Sequence, residues 1–340
     1  MKSINWEQVK KVQKELNFSG VVYAAQDEEM QVKSYGYANR AEETENHDDT
    51  KFAIASGAKI FTSVAICKLV QEDKIAFDSK LTDILKIPLP NFDKNITVHH
   101  LLTHTSGVPD YFNEDEMDDF EALWESVPMY RVRKPIDFLP LFQHEAMTGP
   151  VGLDFAYNNT GYILLGMVIE EVTRENFADY IESNIMAPIG MTDSGYYEVD
   201  QLPGNTALGY IDFPDGSWKT NLFALPAKGG PDGGVYVTVR DMGIFWDALE
   251  NSELLTPDMT HELLEPRELV DDDIYYGYGG YMEVNEAGVV KLIQMGYDPG
   301  VNYRAVYYPE TALTIVVCSI VEDGAYEMLK EIEDMAAMAN

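Results

Sequence analysis

Three short segments carry residue types that could work together. The first is Ser56-Gly57-Ala58-Lys59, preceded by Phe52-Ala53-Ile54-Ala55 and opening an apolar run that continues to residue 72. Residues three apart on a helix share a face, so Ser56 Oγ and Lys59 Nζ can meet. A serine hydroxyl attacks a carbonyl poorly until a base takes its proton. A lysine among apolar neighbours holds its proton less firmly and can be that base. The helix start adds N–H groups where an oxyanion would form. The bland reading is a helix cap and a chance lysine. The second segment is Tyr157-Asn158-Asn159. A tyrosine can pass a proton between nucleophile and leaving group, and an asparagine amide can hold a substrate amide. The bland reading is a loop with a cap. The third is Gln294-Met295-Gly296-Tyr297, at the end of an expected strand. A strand edge there could pair with an extended substrate and lend an N–H to an oxyanion hole. The bland reading is a strand leaving through a turn.

The elements that must position these residues can be read from periodicity. Residues 3–17 are expected to be helical, with Val9, Val12 and Leu16 at helical spacing. Gly20–Gln26 reads as a strand and residues 30–40 as its partner, followed by a polar loop at 41–50. Residues 56–72 are apolar around the whole circumference, the mark of a buried helix. A short helix is expected at 98–105, helices and loops over 110–150, two helical patterns from residue 158, and a further helix at 240–250. Near the C-terminus four strand-like runs form a meander, with Pro309-Glu310-Thr311 as a hairpin turn, before a closing amphipathic helix. Strands thus lie at both ends and helices in the middle. That order predicts an α+β fold: one antiparallel sheet flanked by helices, with an inserted all-α lobe. The expected α/β lobe takes about 1–75 and 205–340, and the mostly helical lobe about 76–204.

Composition bounds the partners. The 340 residues suffice for one large domain with a substantial core. With 58 acidic against 24 basic residues the net charge is −34. Such a surface repels nucleic acid and anionic membranes. No apolar run is long enough to span a bilayer. The opening residues read as an amphipathic helix and not a secretion signal, so the chain as it stands is expected to be cytoplasmic. Cys67 and Cys318 sit in apolar contexts and are expected to be buried free thiols. His99 and His100 lack metal-ligand spacing. The acidic run 113–121 lacks a calcium-loop pattern and is expected to be a solvated face. Trp124, Tyr130, Trp218 and Tyr276 are candidates for a substrate groove or for packing.

Taken together, the three segments resemble the penicillin-recognising serine hydrolases, in the class C β-lactamase-like branch that includes DD-peptidases, D-aminopeptidases and esterases. The likeness extends to residues 96–111, 155–173, 187–194 and 232–242, and runs from about Gly20 to about Val321. It implies the β-lactamase/transpeptidase-like fold, no cofactor, and a small-molecule or short-peptide substrate, and it sets no oligomeric state. By this resemblance Ser56 is the acylated nucleophile and Lys59 its base. Tyr157 is the proton shuttle, and Asn159 orients the substrate amide. The backbone N–H groups of Ser56 and Tyr297 form the oxyanion hole, and Gln294 and Gly296 belong to the substrate-binding strand. His104 and Ser106 match a segment of packing and turn residues. One position departs from the pattern. Lysine or histidine normally opens the third motif, and Gln294 brings no charge. Strong β-lactamase activity is therefore in doubt, and a binding protein that has kept the fold stands as an alternative. Arg304 could supply a positive charge from the next strand, although its setting reads as surface.

Overall fold

Alternating apolar residues at both ends of the chain build one sheet with two buried faces. The structure, a computed structural model, describes residues 4–113 and 119–338. Helix α1 (Trp6–Glu15) is capped by Asn5, whose side chain accepts from Gln8 N. Strands β1 (Gly20–Gln26) and β2 (Glu29–Tyr35) follow as a hairpin. The C-terminal strands are β3 (Glu268–Asp271), β4 (Ile274–Tyr276), β5 (Tyr281–Asn285), β6 (Gly288–Asp298), β7 (Val301–Tyr308) and β8 (Leu313–Ser319). They complete one eight-stranded antiparallel sheet in the order β2-β1-β8-β7-β6-β5-β4-β3.

The alternation sorts the core. Val22, Ala24, Val306, Ile315 and Val317 face α1 and the closing helix Gly324–Met338. Val21, Tyr23, Tyr303, Ala305, Val316 and Cys318 face the other way. On that side lies the helix Lys59–Gln71, here α2, with ten of its thirteen residues buried. Phe61 of α2 meets Phe245 of the helix Val239–Glu250 edge to face, with ring centroids 4.9 Å apart. Both cysteines are free and buried. Burial pushes both thiols far up, so neither behaves as a reactive thiolate.

Helices α3 (Leu81–Ile84), α4 (Val98–Leu102) and α5 (Asn159–Thr173) lie beyond α2, with short 3₁₀ turns between residues 122 and 141. Several details refine the expected pattern. The run 30–40 breaks at Gly36, whose φ of 67° turns the chain into a separate short strand. Residues 275–285, read as one strand, are two, parted by Gly277, Gly279 and Gly280. The helix Pro257–Leu263 and edge strand β3 went unread, because neither has a long periodic run. No described helix is long and apolar enough to cross a membrane.

Candidate active site

The chain reaches Ser56 through a strained step. Ala55 has φ 45°, a left-handed conformation that costs a residue with a Cβ on the order of 1 kcal/mol. Residues Ala55–Ala58 then make one 3₁₀ turn, and the α-helix begins only at Lys59. This corrects the expectation of an α-helix from residue 56. The consequence for contact is small, because residues three apart eclipse in a 3₁₀ turn.

Lys59 is 1 % exposed, which an ammonium tolerates only when its donors are met. Nζ donates to Ser56 Oγ at 3.0 Å, to Asn159 Oδ1 at 2.8 Å and to the Asp232 carbonyl at 2.8 Å. Two of these partners can only accept. The hydroxyl of Ser56 can also donate. A neutral Lys59 can keep N–H groups on Asn159 and Asp232. Its lone pair is then left facing the Ser56 O–H.

Asn159 is itself fixed. Its Nδ2 donates to the Phe112 carbonyl at 3.0 Å, which turns Oδ1 toward Lys59. Its backbone N–H, like that of Thr160, donates to Asp110 Oδ1 at 3.0 Å. Asp110 so satisfies the first N–H groups of α5, while Asn158 caps the same end through Gly161 N at 2.8 Å. Burial raises the Asp110 carboxyl to about 6, against the pull of those N–H groups and of Lys59. Asn159 thus grips the lysine with the amide that the resemblance assigns to substrate.

Tyr157 stands just before α5, with Lys59 Nζ 4.9 Å from its ring centroid. His104 packs under it at 4.5 Å between centroids and accepts from Asn158 N at 3.0 Å through Nδ1. Burial holds His104 well below the usual imidazole range, so it is a neutral support. Its placement matches the packing role read from the sequence.

Strand β6 passes close over the Ser56 turn. A Cβ on Gly296 would lie 2.0 Å from the Ile54 carbonyl and 2.9 Å from Gly57 N. Only glycine lets the strand approach this near. Tyr297 follows, paired with Asn302, and its side chain leaves toward Glu322 at 3.1 Å. Gln294 does not line either cavity that holds Ser56. It is 4 % exposed and donates to the Gly279 carbonyl at 3.1 Å, over the space left by Gly280. A buried amide must be satisfied, and the Gly279 carbonyl takes it.

Arg304 reverses its expected place. It is not on the outer surface but lines the cleft with Ser56, Tyr157 and Tyr297. Its Nη1 reaches only the sulfur of Met295, at 2.8 Å, and its Nε has no partner. No carboxylate among the described residues lies within ion-pair distance of it.

Ser56 is the meeting point of two cavities. One is polar and carries Asp110, Asn113, Tyr157, Tyr281 and Arg304. The other is walled by Phe112, Val199, Leu225, Pro226 and Tyr236, with Asp232 at its base. Of the four groove candidates, Trp124 and Tyr276 are buried in packing. Tyr130 and Trp218 are exposed and line neither cavity. Of the acidic run 113–121, residues 114–118 lie outside the described residues. Sequence reasoning missed Asp110, Tyr111 and Asp232. Their signals are Pro109-Asp110-Tyr111 and Pro231-Asp232-Gly233, whose proline and glycine mark them as turns.

A buried amine turned on a serine at a helix start, under a strand edge, is the equipment of a serine hydrolase that works through an acyl-enzyme. A model of the family described as Beta-lactamase matches residues 8–324. The chain belongs to the β-lactamase family. It is 28 % identical over 327 residues to a penicillin-binding protein of Bacillus subtilis (strain 168), covering 91 % of this chain and 70 % of that protein. A penicillin-binding protein from Bacillus halodurans is 48 % identical, with a TM-score of 0.93 over 96 % of this chain and 99 % of that one. D-amino acid amidase from Ochrobactrum anthropi SV3, complexed with D-phenylalanine, shares the fold at a TM-score of 0.78 and 21 % identity. That match covers 100 % of this chain and 99 % of the other.

Proposed function

We propose that the protein hydrolyses small peptide-like amides or esters through an acyl-enzyme on Ser56, in the manner of a D-amino-acid peptidase. The observation that carries this reading is the contact of Lys59 Nζ with Ser56 Oγ, Asn159 Oδ1 and the Asp232 carbonyl, three groups of which Ser56 alone can give up a proton. Ser56 Oγ attacks the carbonyl carbon as its proton passes to Lys59. The oxyanion forms toward the N–H groups of Ser56 and Tyr297. Lys59 passes that proton to Tyr157 as Tyr157 delivers its own to the departing nitrogen or oxygen and the bond to carbon breaks. Water repeats the sequence on the acyl-enzyme and releases the acid. No step in this reading calls for a cofactor.

The leaving half lies where its proton donor is, in the polar cavity with Tyr157. There Arg304 offers a guanidinium that has no carboxylate partner among the described residues, on a protein of charge −34. A carboxylate on the leaving half would give it the bidentate partner it lacks. Arg304 then replaces the cation that the third motif does not supply. The test compares an acyl-D-alanyl-D-alanine with its C-terminal amide, in the wild type and in Arg304→Gln. The reading expects at least a tenfold loss of kcat/KM for the carboxylate and little change for the amide. Equal losses for both would sink the role of Arg304.

A further inference from the structure

Three cavities adjoin in the region of Ser56, and the assignment above uses one. The leaving group takes the Tyr157 side, so the acyl half enters the cavity walled by Val199, Leu225 and Tyr236. A further cavity of about 230 Å³ lies against that one and shares Ala53, Val199 and Tyr236 with it. The rest of its wall is mainly apolar, including Phe52, Leu202, Leu208 and Leu222. Two of its polar side chains are already committed. Asn221 Nδ2 donates to the Pro299 carbonyl at 2.8 Å, and Ser319 Oγ donates to the Ser19 carbonyl at 3.0 Å. Ordered water needs two to four polar partners, and this wall offers few. An apolar guest gains by entering it.

We infer that this cavity receives the tail of the acyl group, so that the preferred substrates are amides or esters of an apolar, medium-length acyl chain. The inference rests on the acyl-enzyme reading for its chemistry. The chain's carbonyl carbon bonds to Ser56 Oγ, the alcohol or amine leaves with a proton, and water later frees the carboxylic acid. The tail itself takes no part in bond making. Its burial sets which acyl groups are held long enough to react.

The test is kcat/KM along the p-nitrophenyl esters from acetate to octanoate, in the wild type, in Leu208→Trp and in Leu222→Trp. About a fourfold gain per buried methylene is expected as the chain fills the cavity. Each tryptophan should cut the octanoate-to-acetate ratio at least tenfold. Leu222 lies at the exposed rim, so its variant keeps the test usable if Leu208→Trp does not fold. A flat series on an enzyme that hydrolyses acetate overturns the inference and leaves the acyl-enzyme reading intact. If no ester is hydrolysed, acylation of Ser56 by benzylpenicillin decides that reading, which fails when this too is absent. Calorimetry of octanoate on Ser56→Ala then decides the cavity. Saturable binding weakened tenfold by Leu222→Trp supports the cavity, and no saturable binding overturns it.

Discussion

Tyr111 Oη donates to Asp232 Oδ2 across 2.5 Å, and the main-chain oxygen of the same Asp232 accepts from Lys59 Nζ at 2.8 Å. One residue thus touches the amine through its backbone and faces it with a buried charge. Burial raises the Asp232 carboxyl, while Lys59 and Tyr111 pull it down. The tyrosine is held well above its ordinary range, mainly by burial and by that carboxylate, so it stays a donor. Asp110, Tyr196, His104, Asp298, Tyr157 and Tyr162 also lie in this field.

From this pairing follows a pH prediction. An anionic Asp232 favours the ammonium form of Lys59. Asp232→Asn keeps the carbonyl contact and removes the charge. The acid limb of kcat/KM should then move to lower pH, by about half a unit or more. Tyr111→Phe leaves the carboxylate less well held and should move the profile less. A purely structural Asp232 would lower the rate without moving either limb.

The grip of Asn159 on Lys59 can be measured separately. Asn159→Ala removes an acceptor that helps direct the amine's lone pair. Loss of a well-placed general base costs roughly 10²–10⁴-fold, and misdirecting it should fall toward the lower end. The drop should appear in kcat with KM nearly kept. Thermal unfolding checks that loss of the Phe112 contact has not unfolded the site.

Close approach of strand β6 to the Ser56 turn gives a third prediction. Gly296→Ala puts a methyl group 2.0 Å from the Ile54 carbonyl. Such overpacking costs about 1–3 kcal/mol, and it also shifts the strand that carries Tyr297, the proposed oxyanion donor. Both stability in urea and turnover should fall. Gly204→Ala meets nothing within 4 Å and is the neutral control.

Asp110 sets a stability term with a definite sign. Its folded carboxyl sits at about 6, above the ordinary value near 4 in an unfolded chain. The folded state therefore holds the proton more firmly. The stabilisation is fully present below about pH 4 and is lost as pH rises through about 6. Asp110→Asn should lack this loss, which is on the order of 2–3 kcal/mol for the buried group. Urea midpoints at pH 4 and pH 7 for both proteins check it. An unchanged difference between the two pH values would count against it.

Much of the sheet and the first two motifs was legible because each lies on a strong local signal. The strand Gly20–Gln26 and the helix from Asn159 stand where periodicity and turn residues put them. What was not legible depends on long-range placement. Arg304 looked like a surface residue because one strand cannot say which cavity its face meets. Gln294 looked like a substrate ligand because the empty space over Gly280, which it fills, is set 14 residues away in sequence. Asp110 and Asp232 hid in turns, since their work is done on Asn159 and Lys59, which only the fold brings near.

The most direct measurement is the intact mass of the protein after a short incubation with a p-nitrophenyl ester and, separately, with benzylpenicillin. The account predicts a mass gain equal to the acyl group with at least one reagent in the wild type, mapped to Ser56 by peptide digestion. It predicts no gain in Ser56→Ala, and a much slower gain in Lys59→Ala. An adduct that persists in Ser56→Ala, or a folded wild type that gains no mass with either reagent, would contradict it.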